Sequence, residues 1–159
     1  MTLTAIGTIR TAFARATGAP IQPYRAAGSV GSVEIFPPFV DGLADLAGFE
    51  RIWLIYWFHR AAEAKLRVIP FLDSVERGIF ATRAPARPNP IGMSSVRLLA
   101  VEGNVLRIAE VDILDGTPLL DIKPNVPLYD TYPMSRCGWL DGRVDGPVIA
   151  DARFERPDL

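Results

Sequence analysis

Two residue types that carry much of enzyme chemistry are almost missing. The 159-residue chain has one cysteine, Cys137, and one histidine, His59. A single cysteine excludes an intrachain disulfide framework and any cysteine-built zinc site. A single histidine leaves a histidine-dependent metal centre without its ligands, so no metal is expected. No G-x-G-x-x-G, no P-loop and no Ser/His/Asp set is present. The longest apolar run, Ile52–Phe58 (IWLIYWF), falls far short of the ~20 residues that cross a bilayer. The opening MTLTAIGTIR lacks the charged-then-apolar order of a secretory leader, which makes the cytoplasm the expected setting. The formal net charge is only −1, so any contact with nucleic acid must come from a local basic patch. Helical patterning is scarce as well: Asp41–Ala47 offers a turn or two and residues 59–65 another. The long crossover helices of a doubly wound α/β fold are absent.

What is abundant is punctuation. Thirteen glycines and fourteen prolines separate short runs of Val, Ile and aromatics, the mark of many strands joined by turns. The expected strands are Thr4–Ile9, Ser32–Phe36, Ile52–Phe58, Leu66–Pro70, Gly78–Ala81, Gly92–Val101, Val105–Leu114 and Val148–Phe154. Glu102–Asn104 (EGN) is the clearest hairpin turn. Eight evenly spaced strands predict an all-β fold, a single-sheet closed or nearly closed β-barrel with short helical turns, non-Rossmann. Closure removes exposed strand edges. At this length residues 1–159 are expected to form one domain.

Four stretches carry polar chemistry. In Gly78–Ser95 (GIFATRAPARPNPIGMSS), prolines at 85, 88 and 90 fix φ and remove donors, so the segment cannot be central sheet. It reads as a stiffened loop presenting Arg83, Arg87 and Asn89 to a carboxylate or phosphate; the alternative is a structural loop with surface ion pairs. The apolar strand IWLIYWF reads as buried on both faces and ends abruptly at Phe58-His59-Arg60, where a polar residue commonly faces a cleft. Asp112–Asp130 (DILDGTPLLDIKPNVPLYD) collects Asp112, Asp115, Asp121 and Lys123 around an Asp115–Pro118 turn. Exposed amides there would suit a ligand; the alternative is a plain turn followed by a weak Asp–Lys surface pair. Gly18–Tyr24 (GAPIQPY) adds a proline-bounded loop with Gln22. Several rigid polar loops on a barrel point to ligand binding by shape and hydrogen bonds.

GIFATRAPARPNPIGMSSVRLL and LDGTPLLDIKP, with the IGTIRTAF opening, GAPIQP, VEIFPPFVDGLADLAGFERIW and the aromatic-Phe-His strand, resemble the TsaA-like/TrmO family from about Ile6 to Pro127. The resemblance implies an S-adenosylmethionine-dependent methyltransferase built on a β-barrel, active on N6 of threonylcarbamoyladenosine beside the tRNA anticodon, and a homodimer. It implies that Gln22, Pro23, Phe58, His59, Arg83, Met93, Asp115, Gly116, Thr117, Pro118 and Leu119 border the cofactor. Asp121 is then the candidate for handling the acceptor proton, with Lys123 holding a carboxylate or phosphate. Arg87, Asn89 and Asn125 are candidates for the substrate side, and Arg87 with Arg97 for a local basic face.

Three departures stand out. Asn125 replaces the tyrosine of the family's KPYxP, and Tyr129, Tyr132 or Trp139 are candidates to replace that ring. With the sequence ending at residue 159, the C-terminal domain of longer members is not expected. PLYDTYPMSRCGWLDG is a local variant. A methyltransferase with a small-molecule or other RNA acceptor, and a non-catalytic cofactor-binding module, are the competing readings.

Overall fold

A computed structural model describes residues 2–133, 136–142 and 149–156. Its main strands are β1 (Gly7–Thr11), β2 (Val30–Ile35), β3 (Arg51–Trp57), β6 (Ile91–Glu102), β7 (Val105–Ala109) and β8 (Thr117–Pro124), with a short ribbon of β4 (Arg67–Val68) and β5 (Arg77–Gly78) between them. The six long strands close into a barrel in the order β1-β2-β7-β6-β3-β8, every neighbour antiparallel. The all-β, non-Rossmann barrel expected from the sequence is present.

Period-two alternation builds the core. Ile52, Leu54 and Tyr56 of β3 point inward beside Ile9, Val33, Ile35, Val96, Leu106, Ile108 and Leu119, and all are buried. Their partners on the outer face, Trp53, Ile55 and Trp57, are only half-buried. The expectation that β3 is buried on both faces therefore gives way to a one-sided strand whose other side is apolar and partly open. The β6–β7 hairpin turns at Gly103, whose φ of +63° suits glycine. Gly92, at the start of β6, lies under the rings of Tyr56 and Phe58, and a Cβ there would overlap Tyr56. Glycine at this position leaves the room that the Tyr56 ring occupies.

Other expectations change too. Thr117–Pro124, read as a turn and an anchored segment, is the strand that closes the barrel between β1 and β3. Its prolines stand at the strand's two ends, where a missing N–H is tolerated. Val105–Leu114 stops pairing at Ala109, because Glu110 takes a φ of +60°. Val111 and Ile113 turn in to plug the barrel while the Ser29 hydroxyl serves the backbone of Val111. Leu66–Pro70 and Gly78–Ala81 shrink to the two-residue β4 and β5 followed by a 3₁₀ turn at Ile79–Ala81. Asp41–Ala47 falls in 3₁₀ turns at Pro37–Leu43 and Leu46–Gly48, and 59–65 forms no helix. Of the expected last strand, Val148 lies outside the described residues. Ile149 makes an isolated bridge to Pro20, and Ala152–Phe154 is a 3₁₀ turn.

A second small core explains why the Arg/Pro loop is ordered. Ala84 and Ala86 alternate inward from the prolines and pack with Val68, Ile79 and Phe154, with Phe71 edge-on to Phe154 at 5.2 Å. The loop is thus pinned over one end of the barrel by its alanines and by the tail.

Candidate functional site

That pinned loop roofs a cavity of about 920 Å³. Its floor is the barrel end where β3 runs out (Tyr56, then Phe58–Ala61), β6 begins (Ile91–Met93) and Asp112–Leu114 and Thr117 lie. Its walls come from Ala16–Gln22, from Phe80–Pro85 with Arg87, and from the tail around Trp139 and Phe154. Proline-stiffened loops and an antiparallel barrel together bring strands of opposite direction to one rim.

Gln22, Phe58, His59, Arg83, Arg87, Met93 and Thr117, from four separate sequence stretches, all line this cavity. Arg83 Nη1 donates to Gln22 Oε1 at 3.0 Å, linking the first loop to the Arg/Pro loop across the opening. Phe58 stands edge-on to Tyr56 at 5.3 Å. Thr117 Oγ1 donates its proton to the Leu114 carbonyl at 2.7 Å, so its 3.3 Å contact with His59 Nδ1 requires that nitrogen to carry the hydrogen. Burial, and then Arg60, hold the His59 pKa below the ordinary histidine value, against Asp115. The ring is neutral at pH 7.

Arg87 is half committed to structure. Its Nη1 donates to the carbonyls of Ile79 (3.1 Å) and Thr82 (2.8 Å), tying the loop together. Trp139, the one candidate replacement ring that reaches the cavity, donates from Nε1 to the Ala81 carbonyl at 2.7 Å and receives Arg77 over its face. Tyr129 and Tyr132 stand exposed elsewhere.

The remaining expected site residues are not among those lining the cavity. Pro23 opens the 3₁₀ turn Pro23–Arg25. The amides of the Asp115–Gly116 turn are not open to a ligand. Asp115 N donates to Phe13 O and Gly116 N to Ile9 O, both at 2.9 Å, while Asp115 Oδ1 accepts from Thr11 N at 3.1 Å. Pro118 pairs opposite Thr8, and Leu119 is fully buried in the barrel core. Asp121 and Lys123 lie on the outer face of β8 and pair with each other at 2.8 Å. Asn89 is exposed. Asn125, at the far end of β8, donates to Ser95 Oγ at 3.1 Å. Arg97 stands near Arg51, and both face Glu110, at 3.7 and 2.7 Å. Arg87 and Arg97 therefore do not share a patch.

Sequence reasoning collected Asp112 with the other polar residues of Asp112–Asp130 but gave it no role in the site, and it missed the polar group that Asp112 forms with Ser94 and Tyr56 on the cavity floor. Ser94 donates to Asp112 Oδ1 at 2.7 Å, and since its single proton is spent there, the 3.0 Å contact with Tyr56 is a bond donated by the phenol. Burial lifts the Asp112 carboxyl to about 6, against the opposing pull of Ser94, its own backbone and Arg83. Burial foremost, and Asp112 next, push the Tyr56 phenol far above its usual range. The only available signal was an aspartate set among apolar residues in VDIL. Among the described residues no group of His, Cys, Asp and Glu is placed to hold a metal ion, and no helix is long and apolar enough to cross a membrane.

A closed antiparallel barrel with a largely apolar, loop-built cavity holding a few polar groups at one rim has the form of a small-ligand site, distinct from the crossover architecture of nucleotide-binding α/β proteins. Comparison with known proteins makes this more specific. Residues 8–131 match the model of the tRNA-methyltransferase O N-terminal domain. A "Probable S-adenosyl-L-methionine-binding protein" of Pyrococcus abyssi is 53% identical over 139 residues, covering 87% of this chain and 76% of that one. The Escherichia coli K12 "tRNA (adenine(37)-N6)-methyltransferase" is 35% identical over 138 residues, 80% of this chain and 59% of that one. The crystal structure of TrmO from Pseudomonas aeruginosa superposes with a TM-score of 0.74 at 39% identity, over 87% of this chain and 62% of that one. The chain belongs to the tRNA-methyltransferase O family. It spans about three fifths of the length of the E. coli and P. aeruginosa proteins.

Proposed function

We propose that the protein is an S-adenosylmethionine-dependent tRNA methyltransferase, with N6 of threonylcarbamoyladenosine beside the anticodon as acceptor, working in the cytoplasm. The observation that carries this reading is the convergence of Gln22, Phe58, His59, Arg83, Met93 and Thr117 on one cavity, in a family whose relatives are named for that cofactor and for tRNA adenine methylation. The cavity fits the cofactor chemically. Its volume lies within the ~300–1,000 Å³ of small-molecule sites; Phe58 and Met93 offer apolar walls for an adenine, and Arg83 a donor fork for a carboxylate. When bound, the cofactor supplies an electrophilic methyl on a sulfonium whose departure needs no acid. The residues of the chain then act by holding and orienting, a contribution worth about 7–11 kcal/mol in principle. His59, kept neutral, adds no charge against a sulfonium.

Asp121 and Lys123 fit the acceptor side if the protein works as a homodimer. The outer face of β3 and β6 carries Trp53, Ile55, Trp57, Ile91 and Met93, with Asp121 in register with Ile55 and Met93. Met93, about half exposed, belongs both to this face and to the cavity lining. A second copy seated here lies at the cavity's mouth and covers an apolar surface otherwise left to water. Ile55→Asp is expected to turn a dimer into a monomer in sedimentation; a wild type that sediments as a monomer at micromolar concentration overturns the dimer.

Incubation with S-adenosylmethionine and tRNA from cells lacking the modification tests the function. A methyl mass gain on the threonylcarbamoyl nucleoside is expected. No gain, with cofactor binding intact, rejects the tRNA reading in favour of another acceptor.

A further inference from the structure

The cavity floor holds a carboxylate that positioning of the loops does not explain. Asp112 is anchored through one oxygen by the directed chain from Tyr56 through Ser94. Tyr56 and Ser94 are both core positions, 4% and 1% exposed, so the carboxylate cannot swing away. Among the described residues no cation forms an ion pair with it. Arg83, which acts on it electrostatically, spends Nη1 on Gln22 instead. Of the cavity's other acids, Asp151 pairs with Arg153 at 2.7 Å and Asp141 accepts from the Cys137 amide at 2.8 Å, while Glu155 has a buried Oε1 without a hydrogen-bond partner but lacks the Tyr56–Ser94 chain that fixes Asp112. A fixed carboxylate set in an apolar floor without a counter-ion is costly unless a ligand supplies the charge.

We infer that Asp112 is the counter-charge for a cationic centre of the bound cofactor, held in place by Ser94 and Tyr56. The inference rests on this cavity being the cofactor site. With Arg83 on the wall within electrostatic reach, the cavity presents one fixed anion on its floor and one cation above it, a pattern that reads a zwitterion. The matching positive group is either the α-ammonium of the amino-acid moiety or the sulfonium; the chemistry is the same, and ligand choice separates them.

The test is calorimetric titration of the intact protein with S-adenosylmethionine, S-adenosylhomocysteine and methylthioadenosine, on wild type, Asp112→Asn, Ser94→Ala and Arg83→Ala. Asparagine accepts the same Ser94 bond, so Asp112→Asn keeps the local geometry, and a circular dichroism melt checks folding. S-adenosylmethionine is expected to bind Asp112→Asn at least tenfold more weakly, while methylthioadenosine, which lacks both cations, binds unchanged. Weakening of S-adenosylhomocysteine by the same factor assigns the ammonium; its binding unchanged assigns the sulfonium. Ser94→Ala, which frees the carboxylate but keeps its charge, is expected to weaken S-adenosylmethionine in the same direction by a smaller factor. Equal weakening of all three ligands, or of none, by Asp112→Asn overturns the inference. Arg83→Ala isolates the underlying reading: if it leaves S-adenosylmethionine affinity unchanged, the cavity is not the cofactor site, whereas if it weakens binding and Asp112→Asn does not, only the counter-charge fails.

Discussion

Asp112→Asn is expected to melt at a higher temperature than the wild type at pH 8, even as it loses affinity for the cofactor. The folded carboxyl titrates at about 6, above the ordinary 3.8. The sign follows from linkage. A folded pKa raised above the unfolded one means that the folded state binds the proton more tightly. The contribution to stability is therefore complete below pH 3.8 and is lost as pH rises through about 6. Roughly two units at ~1.4 kcal/mol each puts the cost of carrying the charge above pH 7 at about 3 kcal/mol. Asparagine avoids that cost and retains the Ser94 bond. The groups facing Asp112 are Ser94 and Tyr56 from the barrel and Arg83 from the loop. Tyr56 stays neutral over this window, so the difference between variant and wild type reports Asp112. The check is the melting midpoint of both proteins from pH 4 to pH 8, with a gap that opens as pH rises and reaches ~5 °C or more. A constant gap, or a variant less stable throughout, contradicts it. A residue retained at a cost to stability is the usual mark of a functional position.

Leu119→Ala is expected to cost about 2–5 kcal/mol in denaturant unfolding. Leu119 has no exposed surface and sits in β8 between Gly7 of β1 and Tyr56 of β3. The barrel encloses the deleted volume on every side, which limits how far neighbours can relax into it. Cofactor affinity of the folded fraction is expected to change much less, because the side chain belongs to the core beneath the cavity. Unchanged stability with lost binding would instead make Leu119 a wall of the ligand site.

The sequence displayed the barrel through its punctuation. Alternating β-prone runs between glycines and prolines located β2, β3, β6 and β7 to within a few residues, since there the period-two pattern and the turn chemistry agree. It concealed β8, whose two prolines look like breakers until it is clear that they stand at the strand's ends. It also suggested open amides at Asp115 and Gly116, because turn composition cannot show that Ile9 of β1 and Phe13 just beyond it run close enough to accept the two hydrogens. The convergence of Gln22, His59 and Arg83 on one cavity came from family resemblance, as residues 61 positions apart (Arg83 and Gln22) give no local sign of meeting. Asp112 escaped because its meaning lies in long-range pairing: Ser94 and Tyr56 reach it only once β3 and β6 lie side by side. The β-prone run Val148–Phe154 in the tail suggests a last strand. Ala150 instead exchanges backbone bonds with Gly18 and Ala19, sealing the cavity wall.

A crystal structure of the chain soaked with S-adenosylhomocysteine would test the site most directly. The account predicts nucleoside density between Phe58 and Met93, with the amino-acid end against Arg83. Density in a different hollow, such as the one bounded by Arg10, Leu99 and Arg107, would contradict it.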